Sequence, residues 1–463
     1  MNKRHRHRLL TGCLLLSVVG LASGVLLTNS AAADPSAYAA VDLGTLGGSR
    51  SFALAISDND QAVGYSYTEA DTYATRHAFS WTAEGGMVDL GTLGGDYSWA
   101  WAVRDSGQVV GYSETAAGFQ HAFSWTEEGG MVDLGTLTGF WSSAVDVNEA
   151  GQVVGSGANA FLWTEDSGFV ALGTLGGSMS TATAVNDGGQ VVCASTAPDN
   201  IWHAFAWTAG SGMVDLGRGG ALAISDNGHV VGEAYTDDDS QPFSWTEAGG
   251  VTGLGTLGGS HGVAWAVNES GQVVGFSYTA GETFDTRHAF SWTPAGGIVD
   301  LGTLGGSWSE ASDVSESGAV VGGIDRAFLW TEDSGMIDLG TLGGSTSWAR
   351  AINDSGLIVG RADTASGETH AALWYGLGAD ELITDLIALV ESYNLDTLGA
   401  SLTAKLANVQ RLLEAGKPTP ACQILDAFVD EVEAQTGKSL TSEQAAELIA
   451  AAERIRDVIG CEP

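Results

Sequence analysis

Tryptophan is the residue type in this chain with the most to offer a ligand. There are 15 in 463 residues, and all but Trp202 fall into two sets. Eight recur in one sequence context: Trp81, Trp125, Trp163, Trp207, Trp245, Trp292, Trp330 and Trp374. A residue fixed in every copy of a repeat is expected to be core. Six others follow Gly-Gly or stand in the equivalent segment: Trp99, Trp101, Trp141, Trp265, Trp308 and Trp348, joined by Tyr97 and His261. Sibling copies put Ser143, Thr181, Glu310 or Arg350 there, so the position is not rigidly packed. Aromatic planes at such a position can stack on sugar rings or aromatic ligands. The alternative is partial burial between repeats. Tyr97, Trp99, Trp101, Trp141, Trp265, Trp308 and Trp348 are the candidate ligand-binding residues.

Titratable residues give weaker signals. His77, His121, His203, His288 and His370 are copies of one position and are expected on a ring, too far apart to share one ion at ~2 Å bonds. Asn159, Gln241 and Arg326 replace them elsewhere, and all can donate hydrogen bonds, so a structural bond to neighbouring backbone is expected. A position that is Ala in six copies is Asp146 and Asp313 in the other two. A glycosidase needs its two carboxylates ~5–9.5 Å apart, whereas these belong to copies on opposite sides of a ring. Asn353–Gly356 and Asp237–Asp239 contain possible Ca²⁺ oxygens but too few for a full ligand set. They read as an Asx-turn and a solvated acidic loop. Gly437-Lys438-Ser439 imitates the end of a phosphate loop without the earlier glycine or a preceding strand. No His-Glu-x-x-His or Gly-x-Ser-x-Gly motif occurs. No catalytic residue, metal or cofactor is assigned.

These residues are positioned by a repeat. Leu-Gly recurs with its glycine at Gly44, Gly91, Gly135, Gly173, Gly217, Gly255, Gly302 and Gly340, which makes eight copies. Each carries four short apolar runs separated by turn chemistry, as in Ala100–Val103, Gln108–Tyr112, His121–Thr126 and Met131–Leu134. Alternating Val, Phe, Trp and Thr favour strands. Four antiparallel strands per 38–47 residues predict a β-propeller. The eighth copy lacks a fourth strand, and a surplus strand at Tyr38–Leu43 could supply it, closing eight blades without a long exposed edge. A β-solenoid is the alternative.

The His-Ala-Phe-Ser-Trp-Thr string, its Asp-Leu-Gly-Thr-Leu-Gly-Gly neighbour and the Val-Val-Gly strand resemble the HAF-repeat family of bacterial extracellular proteins, over about residues 40–375. The resemblance implies secretion and repeat architecture, not an activity. The third, fifth and seventh copies depart from it at Asn159, Gln241 and Arg326, and the fifth has Arg218-Gly219-Gly220 for most of the Thr-Leu-Gly-Gly loop.

From Leu377 the periodicity becomes helical. Asp380–Tyr393, Leu398–Glu414, Ala421–Gln435 and Ser442–Ile459, the last capped by Thr441, predict a small all-α module. Gly416, Pro418 and Pro420 are read as breaks. Cys422 and Cys461 both fall in it and are paired, leaving Cys193 as a small buried thiol in place of a sibling glycine. Leu425-Asp426-Ala427-Phe428, Gln435-Thr436-Gly437-Lys438, Gln444 and Leu448-Ile449 resemble the FIMAH module, which implies an accessory or attachment role.

Composition sets the address. Lys3, Arg4, Arg6 and Arg8, an apolar run to about Leu27, and Ala31-Ala32-Ala33 read as a cleaved secretory signal, with an uncleaved anchor as the rival. Asp+Glu number 56 against 18 Lys+Arg, a net charge of -38, which disfavours nucleic acid. The expectation is a signal at 1–33, an all-β propeller at 34–376 and a helical module at 377–463. The expected protein is secreted, off the membrane once the signal is removed, and non-catalytic. It binds carbohydrate or a cell-envelope component, with a matrix scaffold and a glycan-cleaving enzyme as alternatives.

Overall fold

The computed structural model describes residues 38–69, 71–236, 239–280 and 286–461. The expected signal at 1–33, and Asp237 and Asp238 of the acidic loop, lie outside the described residues.

Residues 38–376 are strands in antiparallel sheets, six of four strands and one of seven. Each copy builds its sheet by local hairpins. In the second copy the strands are Gly94–Val103, Val109–Thr115, Gln120–Thr126 and Gly130–Gly135. The first hairpin turns where the N–H of Gly107 donates to the Arg104 carbonyl at 2.8 Å, and Gly107 holds φ at +85°. Gly111 serves close approach: a Cβ there would meet the Trp99 carbonyl oxygen at 1.9 Å.

The seven-stranded sheet follows from the departure in the fifth copy. Arg218-Gly219-Gly220 replaces a loop, so one strand, Gly212–Ile224, runs through. It pairs with Trp202–Thr208 up to Arg218 and with Val230–Tyr235 from Gly219 onward, and is thus the last strand of one four-stranded unit and the first of the next.

The repeated aromatic core is phenylalanine. Phe79, Phe123, Phe161, Phe205, Phe243, Phe290 and Phe328 are fully buried. This corrects the expectation placed on the eight recurrent tryptophans. Trp245 and Trp374 are buried, but the other six are half-buried at the margins of the core. Phe, two residues earlier on the same strand face, is the enclosed ring in the first four copies and in the sixth and seventh, whereas the fifth copy encloses both Phe243 and Trp245 and the eighth, with Ala372 at the Phe position, encloses Trp374.

Polar links join consecutive sheets. The buried Ser98 hydroxyl donates to the Gly91 carbonyl at 2.5 Å and accepts the Ala78 N–H at 2.8 Å. Ser142, Ser180, Ser309 and Ser347 repeat this, and Ser51 accepts from Ala371. Hairpin turns form a second series, in which a backbone N–H donates to the next copy's carboxylate. It runs from Asp58 to Asp105, Glu149, Asp187, Asp226, Glu269, Glu316 and Asp354, and Asp354 donates back to Asp58. First strands of consecutive sheets touch all the way round, including Gly343–Ile352 against Ser51–Ile56.

The surplus strand Tyr38–Asp42 pairs with Thr369–Gly376, from Tyr38 opposite Gly376 to Asp42 opposite Ala372. It supplies the fourth strand that the eighth copy lacks.

Four helices follow: α1 (Ala379–Ser392), α2 (Asp396–Glu414), α3 (Pro418–Gln435) and α4 (Ser442–Val458). Leu386, Leu406, Phe428 and Leu448 are among their shared buried core. Thr441 caps α4 as expected: its hydroxyl accepts the Gln444 N–H at 3.1 Å, and Gln444 returns a bond to the Thr441 N–H at 3.0 Å. Pro418 starts α3 instead of breaking it, because a first-turn residue needs no N–H partner. Cys422 and Cys461 form a disulfide, and Cys193 is buried and free. No helix among the described residues is long and apolar enough to cross a membrane.

Candidate functional site

The first strand of every copy carries a β-bulge that leaves one residue without a cross-strand partner. These residues are Leu54, Trp101, Val145, Thr183, Leu222, Trp265, Ser312 and Arg350. Bulges re-aim side chains and are enriched beside functional sites. The bulge also explains why this segment tolerates such different residue types.

Two residues before the bulged one, the side chain faces a partner on the second strand. Phe52 is opposite Tyr65, Trp99 opposite Tyr112, and Trp348 opposite Arg361. Together they form a ladder across three consecutive sheets. The Arg361 guanidinium lies 5.1 Å from the Trp348 ring centre and 5.5 Å from Phe52. Phe52 stacks on Tyr65 at 4.8 Å, Tyr65 on Trp99 at 3.6 Å, and Trp99 on Tyr112 at 6.1 Å. Arg76 sits over both Tyr65 and Trp99. Burial, ahead of the charges nearby, pushes the Tyr65 hydroxyl up to about 12. On the third to fifth copies the same two columns carry Ser143, Ser156, Thr181, Ala194, Gly220 and Glu233. The sixth copy carries Val263 opposite Phe276, with Arg287 over Phe276, so a second, shorter aromatic group stands there, and the continuous ladder spans the arc of the eighth, first and second copies.

A 260 Å³ cavity opens on this arc. Phe52, Tyr65, Trp99 and Trp348 line it from the ladder, and Trp101 and Arg350 from the bulge position. Arg361 completes the wall. The volume is just below the ~300 Å³ at which ligand pockets begin, so it suits a single small ring.

Three of the seven candidate residues, Trp99, Trp101 and Trp348, meet in this cavity. Tyr97 is half-buried, edge-on to Tyr112 at 6.2 Å. Trp141 is 46 % exposed in a separate cluster beside Phe140, which is 72 % exposed and stacks on Phe119. Trp308 lies under the Arg287 guanidinium, which pairs with Glu310 at 3.3 Å, and Trp265 bonds Glu310. Sequence reasoning missed Phe52, Tyr65 and Arg361. The available signal was the residue after the Val-Val-Gly glycine, which varies as widely from copy to copy as its first-strand partner.

The histidine expectation is corrected in its partner. Nδ1 of His77, His121, His203, His288 and His370 bonds Asp89, Asp133, Asp215, Asp300 and Asp42 at 2.8–3.1 Å, not backbone. Arg326 pairs with Asp338 at 2.8 Å. The aspartate also accepts the N–H two residues on, as Gly91 donates to Asp89 at 2.7 Å. Burial raises the Asp89 pKa, but the His77 and Gly91 bonds outweigh it and hold the carboxyl below its usual range. Among the described residues no group of three or more His, Cys, Asp or Glu is placed to hold a metal.

Asp146 and Asp313 are half-buried. Asp146 accepts the N–H of Val147 at 2.9 Å and, from the next copy, that of Val185 at 2.8 Å. Asp313 does the same with Val314 and Ile352. Burial pushes both carboxyls up to about 6 despite the N–H bonds that favour the anion. An unfolded aspartate titrates near ~3.9, so between about pH 4 and 6 the folded state binds more protons, and stability falls as pH rises through that window. Melting measured from pH 4 to 7 is expected to fall more steeply for the natural protein than for Asp146→Asn/Asp313→Asn, by on the order of 2–3 kcal/mol per site. Parallel profiles would show that these carboxyls are not buried as acids.

Residues 379–457 match the FIMAH domain. No curated protein sequence matches the chain. TolB from Acinetobacter baumannii superposes at a TM-score of 0.31, 12% identical, over 60% of this chain and 79% of its own. Puromycin hydrolase is 17% identical at a TM-score of 0.37, over 58% of this chain and 52% of its own, so the chain spans about half that protein. The BP39L lectin from Burkholderia pseudomallei is 9% identical at a TM-score of 0.36, over 74% of this chain and 96% of its own.

Proposed function

We propose that residues 38–376 close into an eight-bladed β-propeller and that the chain is a secreted, non-catalytic binding protein. Its ligand on this reading is a saccharide of an extracellular polysaccharide or the cell envelope, held at the Trp99–Trp101–Trp348 cavity. The eight-membered cycle of turn bonds from Asp58 back to itself supports the blade number. The resemblance of the repeats to the HAF family and the Cys422–Cys461 disulfide fit export to an oxidising compartment. The FIMAH segment fits an attachment role.

The observation that carries the binding reading is the asymmetry of the ring. One arc concentrates aromatic side chains around a cavity, while the same two columns are small or polar in the third to fifth copies, and the aromatic residues of the sixth and seventh copies, Trp265, Phe276 and Trp308, gather around Arg287, which is already paired with Glu310. Packing needs common to all copies do not produce such an arc. A glycan-cleaving role has less support, since Asp146 and Asp313 each spend their oxygens on backbone N–H groups.

The test is saccharide titration followed by Trp fluorescence, with retention on insoluble polysaccharides. Trp348→Ala is expected to weaken binding by about 30-fold, the loss typical of a central aromatic anchor, and Trp141→Ala to leave it unchanged. The reverse pattern would move the site to the Phe119–Phe140 cluster. No saccharide response in the natural protein would favour the scaffold reading.

A further inference from the structure

Carboxylates outnumber cationic side chains by 56 to 18 in this chain. A guanidinium in such a protein is expected to find one, and Arg287, Arg326 and Arg456 do, pairing with Glu310, Asp338 and Asp426. Arg350 and Arg361 do not. Among the described residues neither has a carboxylate within the 4.0 Å of an ion pair. Both line the same cavity, Arg350 exposed at the bulge and Arg361 half-buried in the ladder. Arg361 instead lies over two aromatic rings, its guanidinium carbon 5.1 Å from the centre of Trp348 and 5.5 Å from that of Phe52. A cation–π contact engages the charge and not the N–H fork, which can serve another partner.

We infer that the cavity is built for a saccharide ring bearing a carboxylate, with the aromatic wall taking the ring and the Arg350–Arg361 pair taking the acid. The inference rests on the saccharide reading above and narrows its ligand class. A planar guanidinium matches a carboxylate bidentately. An excess of carboxylates repels anions in general, so two guanidiniums outside any ion pair on one cavity wall give an acidic polymer a favourable place to dock. Specificity for a uronate over a neutral sugar then arises from the pair, because a neutral ring leaves both guanidiniums without an acceptor.

The experiment compares oligogalacturonate and oligoglucuronate with their methyl esters, which keep the sugar and remove the charge. Binding to the full chain is followed by calorimetry and Trp fluorescence. The acid is expected to bind at least ~10-fold more tightly than its ester, with the preference shrinking as salt is raised. Arg350→Gln and Arg361→Gln are each expected to abolish most of that preference, and Arg361→Lys to restore only part of it, since lysine keeps the charge without the fork. Arg350 is exposed, so its variant tests the idea even if the Arg361 variant unfolds. Equal binding of acid and ester by the natural protein, lost in Trp348→Ala, would overturn the charge inference while leaving the saccharide site. No binding of acid, ester or neutral oligosaccharide would overturn both.

Discussion

Deleting Tyr38–Leu43 is expected to cost the sheet domain on the order of 5–10 kcal/mol and to drive self-association. This segment supplies a complete ladder of pairs to Thr369–Gly376. The Leu43 N–H donates to the Ala371 carbonyl at 3.0 Å, and its side chain is buried. Losing a buried leucine costs ~2–5 kcal/mol, and each lost ladder bond adds ~1 kcal/mol. The Thr369–Gly376 strand would then present a free edge, which templates pairing with another chain. Calorimetry should show a melting temperature lower by about 10 °C or more, and light scattering should show oligomers. Asp42→Ala alone removes the bonds to His370 and to the Gly44 N–H and is expected to cost about 1–2 kcal/mol. A deletion that melts like the natural protein would mean that the seam strand is dispensable.

Breaking the Cys422–Cys461 bond is expected to have the second largest effect, confined to the helices. The two cysteines are 39 residues apart and tie the start of α3 to the segment after α4. Releasing a loop of about 40 residues frees ~4 kcal/mol of chain entropy in the unfolded state. Four short helices have a small core, and losses of that size are a large fraction of its stability. Under reductant, or in Cys422→Ser/Cys461→Ser, the helical far-UV signal should melt well before the sheets. Coincident, unshifted transitions would show that the bond contributes little.

Much of this architecture was legible because the sequence states it eight times. Strand number, hairpin turns, the seam and the disulfide all follow from period, turn residues and the change of composition at Leu377. The fused strand was readable in kind as well, since the lost loop at Arg218-Gly219-Gly220 leaves nothing to end a strand. The site was legible only in part. Trp99, Trp101 and Trp348 share a cavity, but Trp141, Trp265 and Trp308 occupy the same repeat segment in other copies. Period places residues within a copy; it does not say which copies meet at a cavity. Cross-strand partners such as Tyr65 and Arg361 lie about 13 residues on, beyond the reach of a column read alone.

The histidine partner was within reach by the same kind of comparison. Copies with His or Arg at that position carry Asp twelve residues later, as in His121 with Asp133 and Arg326 with Asp338, except that of His370, whose Asp42 lies on the surplus strand. The copies with Asn159 and Gln241 carry Ala171 and Gly253 there. Charge is kept or lost on both members together, which is what a direct pair requires.

One of those pairs differs from the rest in time. His121 and Asp133 are 12 residues apart, whereas the identical bond between His370 and Asp42 spans 328. Loop-closure entropy rises as the logarithm of length, so the seam bond starts about 3 kcal/mol behind its siblings. The other sheets are hairpins that can form as each copy is made, but the sheet at the seam must wait for both ends of the domain. Folding is therefore local until its final step, and that step should be the slow phase, sensitive to substitutions in Tyr38–Asp42 and indifferent to those in the middle copies.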